Sequence, residues 1–201
     1  MKDLFRDSIN WSLGIAVITF VLAAIFSVVA TATLGGVGWA IGMGIVFIIV
    51  LIGVFFDMLG IAATAADEVP FHAMASKKVD GAKQAIVIIR NADRFASFCN
   101  DVIGDISGII SGTASAIVVV QLSFSFQFGE ASYQQLVISV IFTSVIAAMT
   151  VGGKAFGKSI AIRFSTDIIY QVGKLFYLLE KRFNISLLND KKKKKRNNSR
   201  K

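Results

Sequence analysis

The distribution of charge constrains the fold of this chain more than any other feature of its sequence. Positions 8–56 hold 49 consecutive residues without an Asp, Glu, Lys or Arg. Two more uncharged runs follow, 24 residues at 106–129 and 23 residues at 131–153. Because a helix needs about 20 apolar residues to cross a bilayer, the first run predicts two crossings and each later run predicts one. The sequence therefore predicts an all-α integral membrane protein with four transmembrane helices.

Turn residues and the ends of the apolar runs set the bounds of these crossings. The glycines at 35, 36 and 38 predict a tight turn after the first crossing, because glycine adopts positive φ at little cost. We expect the crossings at 11–33, 39–60, 98–122 and 133–152.

Two charged stretches outside the crossings keep their apolar residues at helical spacing. In the stretch 82–98, Lys83, Arg90 and Arg94 lie away from the apolar stripe on the helical wheel. A second such stretch covers 158–184. We expect both to be amphipathic helices on the cytoplasmic side, the first lying on the membrane surface or against a partner helix.

The basic residues predict the orientation in the membrane. With four crossings, all 21 Lys and Arg lie on one side of the membrane or at its edge, and both termini share that side. The positive-inside rule makes this side cytoplasmic, so we expect a multi-pass protein of the cell membrane. Eight basic residues lie between Lys191 and Lys201. This tail is expected to be disordered and to bind anionic lipid at about 1 kcal/mol per basic residue, whereas a nucleic-acid partner is disfavoured.

The sequence argues against an enzyme. It has no nucleophile–base set, no glycine-rich phosphate loop and no cluster of metal ligands. The lone His72 stands beside Pro70 and is interpreted as an interfacial side chain. The single Cys99 allows no internal disulfide and gives no metal pattern.

Ionisable residues at the ends of the crossings are the candidates for function. Asp67 and Glu68 follow the second crossing, Asp105 lies several residues inside the third, and Lys154 ends the fourth. A charge at the centre of a membrane helix costs about 3 kcal/mol on insertion scales, so it normally pairs or lines a polar cavity. Each residue also has a structural interpretation: a solvated helix edge for Asp67 and Glu68, a helix–helix contact for Asp105, and snorkelling to lipid phosphates for Lys154.

Five short motifs occur in a fixed order: AADEVP at 65–70, GAKQA at 81–85, NADRF at 91–95, IGDI at 103–106 and GKSIA at 157–161. Together they resemble the DUF21 transmembrane domain of the CNNM/CorB/CorC family of magnesium transporters. The resemblance implies three crossings, an acidic helical hairpin, a cytoplasmic helix after the last crossing, and a homodimer. It divides the chain into a segment 1–43 with an additional crossing, a DUF21-like domain 44–186, and the basic tail 187–201. The family's CBS domains have no counterpart here.

The resemblance also implies a cation site. Glu68 matches the family's acidic residue, and Asp105 stands where the family has Asn, so these two are the expected metal ligands. Thr64 and Ser107 are the expected hydroxyl ligands, and Mg²⁺ is the expected ion, because hard cations prefer such oxygen ligands. Lys154 stands where the family has Glu, which reverses the charge. We expect Lys154 to pair with Asp105 or Glu68 as a counter-ion.

Two hypotheses of different classes follow. In the first, the chain transports a divalent cation like Mg²⁺, and Lys154 moves aside for the ion. In the second, the chain is a non-transporting membrane scaffold or regulatory subunit that acts through an unidentified protein partner or anionic lipid, with the site neutralised by Lys154.

Overall fold

The structure, a computed structural model, describes residues 2–126 and 133–183. Every regular element in this part of the chain is a helix. The elements are α1 (Lys2–Gly35), α2 (Trp39–Ala65), α3 (Val69–Ser76), α4 (Ala82–Arg90), α5 (Ala92–Ser97), a π-helix (Phe98–Gly104), α6 (Asp105–Ser125), α7 (Tyr133–Arg163) and α8 (Ser165–Phe183). The basic tail from Lys191 to Lys201, which the sequence predicts to bind anionic lipid, lies outside the described residues.

Four helical stretches are long and apolar enough to cross a membrane: Ser12–Gly35, Trp39–Ala65, Ala92–Ser125 and Tyr133–Arg163. The prediction of an all-α chain with four helices of crossing length is thereby confirmed. Their apolar windows differ in burial, with 56% of the window buried for Ala92–Ser125, 33% for α2, 6% for α7 and none for Ser12–Gly35. The third stretch is therefore the most enclosed, and the outer faces of the first and fourth are apolar surfaces suited to lipid.

The two predicted amphipathic helices are each interrupted. The stretch 82–98 is divided into α4 and α5 at Asn91, whose side-chain amide donates to the Val87 carbonyl at 2.8 Å. α4 ends here because the backbone of Asn91, with φ of −118° and ψ of 28°, leaves the helical range. The stretch 158–184 is shared between α7, which runs on to Arg163, and α8.

The described residues form two compact units. The first comprises residues up to 58 together with 97–158, and the second comprises 59–96 together with the residues from 159 onward. In the first unit, six buried residues of α1, α2, α6 and α7 make one core: Leu34, Val46, Val50, Ala114, Val118 and Ile146. In a bilayer, where lipid is as apolar as such side chains, close packing rather than water exclusion holds helices together.

The second unit is built on close contact between α4 and α8. Phe71, Ile88 and Ile169 are almost completely buried in this unit. Gly81 has φ of 87°, and a Cβ atom placed on it would lie 2.6 Å from the Lys174 backbone. The absence of a side chain at Gly81 therefore lets the start of α4 approach α8.

Candidate functional site

Three ionisable side chains from three helices of crossing length meet in the first unit. The Lys154 Nζ atom on α7 lies 3.6 Å from Asp57 Oδ1 on α2 and 3.5 Å from Asp105 Oδ1 on α6. The exposed fractions of the side chains are 15% for Asp57, 28% for Lys154 and 64% for Asp105. We refer to these three residues as the carboxylate–lysine cluster. When all three are ionised, the cluster carries a net charge of −1.

Glycines bring the three helices to this point. A Cβ atom on Gly53 of α2 would lie 2.9 Å from Ser107 Cβ, and one on Gly153 of α7 would lie 2.9 Å from a Val54 methyl group. A Cβ atom on Gly104 would lie 3.6 Å from Lys154 Nζ. The absence of a Cβ atom at Gly53 and Gly153 permits close helix approach, as small residues do at helix interfaces in membrane proteins, whereas the distance at Gly104 is an ordinary contact.

The cluster lies well inside the helices that carry it. Asp57 is eight residues before the end of α2, and Lys154 is nine residues before the end of α7. At 1.5 Å per residue these separations correspond to roughly 12–14 Å along the helix axes. Asp57 and Lys154 therefore lie too deep in their helices to count as terminal charges, whereas Asp105 is the first residue of α6 and follows the π-helix directly.

A π-helix, Phe98–Gly104, leads directly into Asp105. Such segments are rare and frequently occur at functional sites. The buried side-chain oxygen of Asn100, within this segment, has no hydrogen-bond partner among the described residues. Buried polar atoms are normally paired. This segment therefore differs from an ordinary α-helix both in its hydrogen-bond pattern and in its unpaired buried oxygen.

The predicted site residues divide between the two units. Asp105, Ser107 and Lys154 belong to the first unit, and the expected approach of Lys154 to Asp105 is present at 3.5 Å. The Ser107 hydroxyl donates to the Ile103 carbonyl at 2.7 Å. Thr64 belongs to the second unit, where its hydroxyl donates to the Ile61 carbonyl at 2.9 Å.

Glu68, also in the second unit, is held by two side chains. Arg90 Nε donates to Glu68 Oε1 at 2.7 Å, and His72 Nε2 lies 2.8 Å from the same oxygen. Partial burial raises the pKa of the Glu68 carboxyl, but the hydrogen bonds and charges of Arg90 and His72 lower it by more, so the net pKa lies below its ordinary value. In this arrangement Glu68 pairs with Arg90 and His72, and the sequence prediction for His72 as an interfacial side chain missed this contact.

Asp57 is the residue that the sequence analysis missed. Its position in the sequence could have identified it. Asp57 is the charged residue that follows the first uncharged run, yet it lies inside the second crossing, which was predicted to extend to 60. Across residues 2–126 and 133–183, no group of three or more His, Cys, Asp and Glu side chains is close enough to hold a metal ion. The carboxylates of the cluster are therefore a pair bridged by an ammonium group.

No protein-family model, curated protein or solved structure matches this chain.

Proposed function

We propose that this chain is a multi-pass membrane protein that carries a divalent cation such as Mg²⁺, with Asp57 and Asp105 as the acidic ligands and Lys154 as a counter-ion that the cation displaces. The supporting observation is the position of Lys154 Nζ between the two carboxylates, at 3.6 and 3.5 Å. Ionisable groups inside membrane helices mark ion pathways by default, and this cluster draws one from each of three such helices.

The charges of the cluster favour a divalent ion. The cluster has a net charge of −1 with Lys154 in place. If a monovalent cation replaced the ammonium group between the two carboxylates, the net charge would still be −1. A divalent cation would neutralise both carboxylates, which matters where an uncompensated charge costs about 3 kcal/mol on insertion scales. Neither contact of Lys154 falls in the usual range of about 2.7–3.2 Å for a strong N–H···O hydrogen bond. The flexible lysine stem lets the ammonium move away along the helix surface.

The proposed setting follows the sequence prediction. Both termini are cytoplasmic, the protein lies in the cell membrane, and two copies form a homodimer as the DUF21 resemblance implies. The distribution of all 21 Lys and Arg to one side supports this orientation. Asp57, Asp105 and Lys154 then lie toward the cytoplasmic ends of their helices, where an ion would enter or leave.

Flux measurements in proteoliposomes test the transport proposal. Wild-type protein is expected to carry Mg²⁺, and Asp57→Asn or Asp105→Asn to reduce flux by about tenfold or more, since a contact to a charged group contributes about 1.5–3 kcal/mol. Asp93→Asn is the matched control, because Asp93 is an exposed carboxylate on α5. Glu68→Gln tests the ligand that the family resemblance implies. Wild-type protein without flux of any divalent ion would refute transport.

A second candidate is the non-transporting scaffold or regulatory subunit. It is favoured by the pairing of Glu68 with Arg90 and His72, which occupies the carboxylate that the family resemblance assigns to the ion. Lys154 would then be a permanent partner of Asp57 and Asp105. This candidate predicts no flux in wild-type protein together with stoichiometric co-purification of a protein partner.

A further inference from the structure

A long apolar cavity of about 470 Å³ lies within the first unit. Its walls come from α1, α2, the π-helix and α6. Along α1 it extends from Leu22 to Thr33, and along α2 from Ile45 to Phe56. Its volume falls within the range of about 300–1,000 Å³ that ligand pockets occupy.

The polarity of the wall decides the chemistry of the ligand. No lining residue is charged, and only Thr33 and Ser107 carry polar side chains. Thr33 donates its hydroxyl hydrogen to the Val29 carbonyl at 2.7 Å, and Ser107 donates to the Ile103 carbonyl at 2.7 Å. Neither hydroxyl therefore has a hydrogen to offer a ligand, and only the two hydroxyl oxygens remain as acceptors, so a polar guest would lose most of its hydration without replacement. This wall suits hydrocarbon.

The length of the cavity decides the shape of the ligand. The eleven residue steps from Ile45 to Phe56 correspond to about 16 Å along the helix axis. The hydrocarbon core of a bilayer is about 30 Å thick, so one leaflet contributes about 15 Å. We propose that this cavity binds one lipid acyl chain, held lengthwise between α1 and the α2–α6 pair. The proposal gives the additional first crossing a role as one wall of a lipid site and does not depend on ion transport.

Photolabelling of the full chain in proteoliposomes tests this proposal. The probe is phosphatidylcholine with a diazirine on one acyl chain, and the labelled residues are mapped by peptide mass spectrometry. We expect labelling of the cavity wall above that of Phe20, an exposed residue on α1. Ala30→Phe places a ring in the cavity and should reduce the wall labelling to the level of Phe20. Ala24→Phe makes the same change on an exposed face of α1 outside the cavity and should leave the labelling unchanged.

A second pair of variants covers the case in which Ala30→Phe does not fold. Ile49→Phe enlarges a cavity wall residue, whereas Ile48→Phe enlarges its exposed neighbour. A diazirine-labelled free fatty acid, used in parallel, shows whether the bound chain comes from a phospholipid or a free acid. Wall labelling no higher than at Phe20, labelling unaffected by either filling variant, or occupation of the cavity by a helix of a second copy would each overturn the proposal.

Discussion

At the scale of single residues, the contrast between Glu68 and Asp105 shows what decides the role of a carboxylate. Glu68 receives a hydrogen bond from Arg90 and lies within 2.8 Å of His72. Asp105 has a side chain that is 64% exposed and a contact to Lys154 of 3.5 Å. A charged group with strong partners contributes to the fold, whereas one with a loose partner is available to a ligand. This contrast is our reason for proposing Asp105 rather than Glu68 as an ion ligand.

The lowered pKa of Glu68 gives a prediction for stability against pH. Because the folded-state pKa lies below the ordinary value of 4.5, the unfolded chain binds more protons at acid pH. The stability that Glu68 contributes is therefore present above pH 4.5 and is lost as the pH falls through the folded-state pKa. Thermal unfolding in detergent from pH 7 to pH 3 should show this loss in wild-type protein and a smaller loss in Glu68→Gln. An equally steep acid decline in both proteins would contradict the assignment.

At the scale of helices, the sequence predicted which helices exist better than it predicted where each helix begins and ends. The period of the apolar residues predicted a helix over 82–98. The helix break at Asn91 is a change in the backbone angles of one residue, which that period does not contain. The π-helix at Phe98–Gly104 is also invisible to a hydrophobic pattern, since its wider turn spans only seven residues. The fourth crossing was predicted to end at 152, yet α7 continues to Arg163, since a helix does not need to stop where its uncharged run stops.

The contact between α4 and α8 gives a prediction at this scale. Gly81 combines a φ of 87° with a space that a Cβ atom could enter only at 2.6 Å from the Lys174 backbone. Gly81→Ala should therefore destabilise the second unit by about 1–3 kcal/mol through overpacking and backbone strain. Gly152→Ala is the matched control, since nothing lies within 4 Å of a Cβ atom there. That change in a helix interior should stabilise by about 0.5–1 kcal/mol. Unfolding midpoints in detergent measure both, and a destabilised control with an unaffected Gly81→Ala would refute the packing argument.

At the scale of the whole molecule, the uncharged runs were enough to predict the helical class and the four helices of crossing length. They were not enough for the site, because the partners of each charge come from distant parts of the chain. Asp57, Asp105 and Lys154 are 48 and 49 residues apart in sequence, and only the tertiary packing of α2, α6 and α7 brings them together. The approach of Lys154 to Asp105 was predicted through the DUF21 resemblance, whereas Asp57 was overlooked at the end of an apolar run.

Substitutions of Lys154 test whether the carboxylate–lysine cluster takes part in ion transport by the whole molecule. Lys154→Glu introduces the residue that the DUF21 resemblance implies at this position and changes the net charge of the cluster from −1 to −3, whereas Lys154→Met removes the ammonium without adding a carboxylate. If Lys154 competes with the transported ion, Lys154→Glu should bind Mg²⁺ more tightly than wild-type protein and release it more slowly. Binding should therefore rise while flux falls, because transport needs an ion that can leave its site.

Two measurements on the same preparations separate these effects. The Mg²⁺-dependent rise in the unfolding temperature reports binding, since a ligand at about 100 times its Kd stabilises the folded state by about 2.7 kcal/mol. Proteoliposome flux reports release. We expect the Mg²⁺-dependent rise to be largest in Lys154→Glu, with Lys154→Met between it and wild-type protein. If Lys154→Glu instead gains both binding and flux from a silent wild type, the native chain is a transporter disabled by its lysine. If neither quantity changes in Lys154→Glu, the cluster does not bind the cation, and absence of flux in wild-type protein as well would favour the scaffold hypothesis.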